Sequence, residues 1–92
     1  MIKSFKDRRL RRLYEKGESR KLPPEMVDRI ESILSRLDVM ENIRDMRLSY
    51  LRLHSLKGKR KGQWAVTVKD NYRITFRFMD GHVRDVDFDD YH

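Results

Sequence analysis

The chain is 92 residues long, 38% hydrophobic and free of cysteine, which supports one thin core in one domain, residues 1–92. That composition excludes disulfide staples, a thiol nucleophile and cysteine-ligated zinc; with no apolar run long enough for a signal peptide or membrane span, it predicts a soluble, cytoplasmic protein. The net charge of +7 is unevenly placed: residues 1–21 and 57–79 each carry +6, residues 22–56 carry −1, and residues 80–92 carry −4. Clustered cations attract a polyanion in a salt-dependent way, so nucleic acid is the expected partner, the plain alternative being a solvated basic surface.

A first helix is expected from about Phe5 to Lys16, with Ser4 and Asp7 as a capping box and Gly17 as its stop. Leu10, Leu13 and Tyr14 share one face; the rest of the helix, with Lys6, Arg8, Arg9, Arg11, Arg12 and Lys16, is cationic and suits the backbone of RNA. Leu22-Pro23-Pro24 reads as a turn feeding a second helix, about Pro24 to Leu37, where Ile30, Ile33, Leu34 and Leu37 form an amphipathic stripe. Asp38 with Glu41 is expected to cap a short third turn through Ile43 and Met46.

From Leu51 the apolar period changes to two. Leu51-Arg52-Leu53 is a short extended piece leading into His54. Trp64, Val66 and Val68, then Tyr72, Ile74, Phe76 and Phe78, then Val86 and Phe88 each alternate with polar neighbours, giving three strands. Parity favours three-residue hairpin loops. Met79-Asp80-Gly81, with Gly81 left-handed, pairs Ile74 with Val86 and Tyr72 with Phe88; a two-residue turn would place Asp87 on the core side. Lys69-Asp70-Asn71, with Asn71 left-handed, pairs Val66 with Ile74 and Val68 with Tyr72. The result is an α+β fold, an antiparallel meander sheet with two N-terminal helices packed on one face. Its free face carries Thr67, Arg73, Thr75, Arg77, Asp85 and Asp87.

His54, Arg73 and His92 are the candidate chemistry. RNA is cut without a metal when its 2′-hydroxyl attacks the adjacent phosphorus, which needs a base, an acid and cations for the phosphorane. Imidazole suits the first two jobs near neutral pH, and the arginine fork suits the third. The structural alternatives are a backbone-bonded His54 and an Arg73 salt bridge to Asp87. The chain closes on Asp90-Tyr91-His92, a carboxylate, a phenol and an imidazole directly after a strand, and Tyr91 is the aromatic suited to stack on a base or donate to phosphate. Lys57, Lys59, Arg60 and Lys61, bracketed by Gly58 and Gly62, read as a phosphate-gripping loop that lacks the ending of a Walker loop. Of these, Lys57 is nearest His54. Trp64 is expected in the core, and His82 exposed and idle. No metal site or cofactor is expected, because the three histidines are far apart and the run Asp85, Asp87, Asp89, Asp90 is split across faces.

Taken in order, His54-x-x-Lys57-Gly58, Gly62-x-Trp64, Arg73-Ile74-x-Phe76 and Asp90-Tyr91-His92 resemble the HigB toxins, a branch of the RelE superfamily of bacterial toxin–antitoxin systems, along the whole chain. The resemblance implies ribosome-dependent cleavage of mRNA in the decoding site, docking on ribosomal RNA through basic patches, and a HigA-type helix-turn-helix antitoxin that carries operator binding. By position it implies that His54 and His92 are the acid/base pair. Lys57 and Arg73 become phosphate contacts, and Asp90 and Tyr91 orienting or substrate-contacting groups. The rival reading is a non-catalytic RNA- or ribosome-binding module. A DNA-binding regulator fits poorly, since no helix-turn-helix pair is evident.

Overall fold

Residues 1–90 are described in the computed structural model, so Tyr91 and His92 lie outside the described residues. Two helices, α1 (Arg8–Lys16) and α2 (Val27–Val39), precede a four-stranded antiparallel sheet of β1 (His54–Ser55), β2 (Gln63–Lys69), β3 (Tyr72–Met79) and β4 (His82–Asp90) in the order β1-β2-β3-β4. The α+β meander is as expected. One sheet face, carrying Val66, Ile74, Phe76, Val83 and Val86, packs on Leu10, Leu13, Ile30, Ile33 and Leu37 of the helices. Each such side chain contributes roughly 1.5–3 kcal/mol by leaving water.

The first helix begins later than its pattern suggests. Residues ahead of it run parallel to the outer edge of β4, with Ile2 bridged to Val83 and Phe5 to Val86. The amides of Lys3 and Lys6 donate to the carbonyls of Val83 and Val86, at 2.7 and 2.8 Å. An exposed strand edge is thereby covered, and a backbone committed to that edge cannot also be helical. Asp7, not Ser4, is the cap: its Oδ1 accepts from the amides of Arg9 and Leu10 at 2.8 and 3.1 Å. Gly17 ends the helix at φ 69° as expected. Tyr14 lies on the apolar stripe but is 38% exposed, its hydroxyl donating to Asp38 Oδ1 at 2.5 Å. Asp38 also accepts from the Ile2 amide and so does not cap the next turn. Asn42 and Asp45 form that capping box instead, around the 3-10 turn Ile43–Met46.

Both hairpins are tighter than parity suggests. Asp80-Gly81 is a two-residue turn with both residues left-handed (φ 54° and 77°), placing Phe78 opposite Val83. That register alone would turn Asp87 into the core. A β-bulge resolves it: Asp85, at φ 55°, adds one residue to β4, so Arg77 faces Arg84 while Thr75 faces Asp87, Ile74 faces Phe88 and Tyr72 faces Asp90. The expected Ile74–Val86 and Tyr72–Phe88 pairs are therefore replaced. Ser4 stabilises the bulge, its Oγ accepting from the Asp85 amide at 2.9 Å. In the other hairpin Val66 does face Ile74. A second bulge, between Thr67 and Lys69, brings Lys69 opposite Tyr72 in place of Val68. There the left-handed residue is Asp70 (φ 52°), not Asn71. Trp64 is half-buried against the core as expected. His82 is half-buried rather than exposed, its Nδ1 shielded and without a hydrogen-bond partner among the described residues.

Candidate functional site

The polar face of the sheet is organised in rows by its register. His54, Ala65, Thr75 and Asp87 form one row across the four strands; Thr67, Arg73 and Asp89 form the next. The cross-strand neighbour of Arg73 is thus Asp89, not Asp87, a consequence of the two-residue turn and the bulge at Asp85 together.

His54 is placed by a local distortion. A 3-10 turn, Ser49–Leu51, ends on Arg52 in the left-handed region (φ 49°, ψ 50°), and the Arg52 carbonyl oxygen lies 2.9 Å from His54 Nδ1. A carbonyl only accepts, so Nδ1 carries the proton. On the other side Arg73 Nη1 lies 3.2 Å from His54 Nε2. A guanidinium only donates, so Nε2 presents its lone pair. The two partners together select the Nδ1–H tautomer, whose Nε2 lone pair accepts from Arg73; a ring nitrogen with a lone pair is what a general base requires.

These groups line a cavity of about 340 Å³ with Lys57, Arg60, Ala65, Thr75 and Asp89. Ala65 supplies the small floor that leaves room for a substrate group. Arg60 reaches in from the 3-10 turn Gly58–Arg60. Its Nη1 donates to Asp89 Oδ2 at 2.7 Å, and its Nη2 to Gln63 Oε1 at 3.2 Å and Thr75 Oγ1 at 3.3 Å. Thr75 is 2% exposed, so this fork is well held. It offsets Asp89, the one carboxylate on the cavity wall among the described residues, so that with Lys57 and Arg73 the cavity is cationic. The loop expected to grip phosphate is thus split: Lys57 and Arg60 line the cavity, whereas Lys59 and Lys61 are exposed outside it.

Asp90 does not join this group. It pairs with Tyr72 at the end of β4, on the face of Phe88 and across the sheet from Arg73. Arg8, Arg9 and Arg12 line a separate cleft of about 360 Å³ together with Arg20 and Lys21. Of these, Arg9 is the most committed. Its guanidinium meets Asp7 at 2.7 Å and lies 5.2 Å from the Phe88 ring centroid; the Asp7 hydrogen bond raises its already high pKa. Asp89, Thr75 and the Arg52 carbonyl were not distinguished by sequence reasoning. Asp89 becomes recognisable only when the bulge is counted, because that shift moves it beside Arg73.

A family model described as HigB-like toxin, "RelE-like toxin of type II toxin-antitoxin system HigB", matches residues 3–92. The chain is 42% identical over 92 residues to the Endoribonuclease HigB of Proteus vulgaris, covering 100% of both chains. Among solved structures it is similar to a chain of the YoeB-YefM complex from Staphylococcus aureus (TM-score 0.63, 16% identity, covering 100% of this chain and 95% of that one). It is also similar to YafQ from E. coli (TM-score 0.60, 10% identity, 95% and 87% covered). The structural likeness, at such low identity, concerns the fold; the full-length sequence matches establish that the chain belongs to the HigB-like family of RelE-like toxins of type II toxin–antitoxin systems.

Proposed function

We propose that this HigB-like endoribonuclease toxin cuts mRNA in the ribosomal A site, by metal-independent attack of a 2′-hydroxyl on the adjacent phosphorus, and so inhibits translation. The carrying observation is the His54 Nε2 lone pair held 3.2 Å from Arg73 Nη1 in a cationic cavity. His54 is the base that removes the 2′-proton. Arg73 and Lys57 bind the phosphate oxygens as negative charge grows in the phosphorane. His92 then protonates the departing 5′-oxygen, leaving a 2′,3′-cyclic phosphate. The substrate phosphate draws the Arg73 fork away from Nε2, freeing the base as the substrate arrives. Tyr91 contacts the substrate, and Asp90, at the end of β4, is an orienting group for the two residues after it.

The exposed cations Lys59 and Lys61 and the α1 cleft with Arg8, Arg9 and Arg12 supply docking on ribosomal RNA, where affinity needs charge but not fixed geometry. The ribosome would align the mRNA strand, an entropic contribution worth on the order of 7–11 kcal/mol. The partner is a HigA-type helix-turn-helix antitoxin, with operator DNA reached only through it, and the compartment is the cytoplasm. The YoeB-YefM complex from Staphylococcus aureus is a precedent for a chain of this fold bound to a partner. Primer extension on translated mRNA tests the reading. Cuts at codon positions, lost with His54→Ala or Arg73→Ala, support catalysis; uncut message with blocked ribosomes would assign the protein to non-catalytic binding.

A further inference from the structure

We propose that a second cleft, adjoining the catalytic cavity, is a stacking subsite for the RNA base next to the cleaved phosphodiester, with Tyr50 as its platform. The proposal rests on the ribonuclease reading of the His54–Arg73 cavity and extends it to how the substrate is held.

The cleft has a volume of about 530 Å³ and is lined by Arg29, Ser49, Tyr50, Arg52, Thr67 and Asp70. Two of its lining residues are direct neighbours of the catalytic pair. Arg52 lines the cleft, and its carbonyl holds His54 Nδ1; Thr67 lines it too, and pairs with Arg73 across β2 and β3. A strand whose phosphate sits at His54 and Arg73 therefore has its next nucleotide beside this cleft. The lining also has the chemistry of a nucleotide site. Tyr50 is 46% exposed, so part of its ring is open to a ligand. Arg29, from α2, places its guanidinium 4.9 Å from the Tyr50 ring centroid. That contact restrains the ring, so little freedom remains to be lost when a base arrives. The other exposed tyrosine among the described residues, Tyr14, is tied to Asp38 through its hydroxyl. Arg29 and Arg52 offer cations to the backbone, and Asp70 offers an acceptor for an exocyclic amine of a base. An aromatic face joined to cations and a single carboxylate fits a single-stranded nucleotide. An acidic peptide would use the arginines alone and be opposed by Asp70.

The experiment is single-turnover cleavage on ribosomes programmed with an mRNA carrying an abasic nucleotide on the 5′ or the 3′ side of the cut. With the unaltered protein, one of the two positions should slow cleavage about 5- to 100-fold, the range typical of a lost base–aromatic stack. Tyr50→Ala should slow the intact substrate by a similar factor and add little on that abasic substrate. Tyr50→Phe, which keeps the ring, should cut like the unaltered protein. The proposal is overturned if Tyr50→Ala, folded by circular dichroism, cuts the intact message at the native rate. It is overturned equally if its loss multiplies with the abasic loss at both positions. If the unaltered protein cuts nothing on ribosomes, the A-site reading fails and fluorescence anisotropy with a short labelled single-stranded RNA decides the subsite. There, weaker binding by Tyr50→Ala that Tyr50→Phe restores supports it, and unchanged binding overturns it.

Discussion

Two cationic clefts of nearly equal size lie on this small protein, about 340 Å³ around His54 and about 360 Å³ beside α1. They differ in how their charges are held. In the first, the Arg60 fork is bonded to three side chains and Arg73 points at the imidazole of His54. In the second, Arg8, Arg12, Arg20 and Lys21 are exposed, and the Arg12–Glu18 pair is long at 3.9 Å. Catalysis needs groups fixed before the substrate arrives, because reorganising them in the transition state raises the barrier. Docking on a phosphate backbone needs only density of charge, and mobile side chains serve it well. Equal charge thus supports different tasks according to its anchoring.

The largest expected effect tests the anchored cleft. His54→Ala removes the base, and Arg73→Ala removes both a phosphate contact and the group facing Nε2. Each should lower single-turnover cleavage on ribosomes by about 10²- to 10⁴-fold, with co-sedimentation on ribosomes nearly unchanged. A variant that lost ribosome binding in proportion to activity would place these residues in docking instead.

The next effect tests the anchor itself. Arg60→Ala leaves the Asp89 carboxylate facing the substrate phosphate without its 2.7 Å partner. A loss of about 10- to 100-fold in cleavage is expected. Adding Asp89→Asn should recover part of it, since the repulsion disappears with the charge. If the double variant were as impaired as Arg60→Ala alone, Arg60 would be acting directly on substrate and not by offsetting Asp89.

The contrast between the clefts also shows what was legible in the chain. The alternation in Trp64–Val68, Tyr72–Phe78 and Val86–Phe88 revealed the strands, and the Ile30/Ile33/Leu34/Leu37 stripe revealed α2, because burial imposes a period on sequence. His54, Lys57 and Arg73 were recognisable as residue types suited to phosphate chemistry, and the cavity does gather them. The rest depended on backbone events that leave faint marks. Asp85 adopts a positive φ although it is not glycine, and that one residue decides whether Phe88 or Asp89 faces Arg73. The N-terminal segment reads as the start of a helix, yet the unpaired edge of β4 outcompetes that local preference. Asp90 stands in the linear motif beside Tyr91, and strand alternation sets it on the face of Phe88, opposite Tyr72.

The exposed cleft should respond differently. Arg8→Ala with Arg12→Ala is expected to weaken ribosome association about 3- to 30-fold at low salt, and to make its salt dependence shallower by about one or two in log–log slope. Single-turnover cleavage at saturating toxin should stay near the native rate, because neither side chain reaches His54. A fall in the saturated rate with an unchanged salt slope would mean that this cleft shapes the catalytic step.

The smallest effect concerns the support beneath α1. Tyr14 donates to Asp38, which also accepts from the Ile2 amide, so one carboxylate joins α1, α2 and the edge segment. The Tyr14 hydrogen bond, aided by that amide, pulls the Asp38 pKa below its usual value, and the same bond pushes Tyr14 up to about 12. The signs are opposite. For Asp38, the folded pKa is depressed, so its contribution is present above the ordinary carboxylate value and is lost as pH falls through the lowered one. For Tyr14, the folded pKa is raised, so its contribution is full below about 10 and is lost as pH rises through about 12. The pair therefore stabilises the fold across the neutral range and weakens it at both ends. Tyr14→Phe removes the bond but keeps the ring that packs 5.3 Å from Phe5. Because Tyr14 is exposed, the loss at neutral pH should be about 1 kcal/mol or less, read from urea unfolding. The difference between variant and native protein should shrink toward both pH extremes. A difference that stays constant from acid to alkali would show that the Asp38 hydrogen bond does not carry the hydroxyl's contribution.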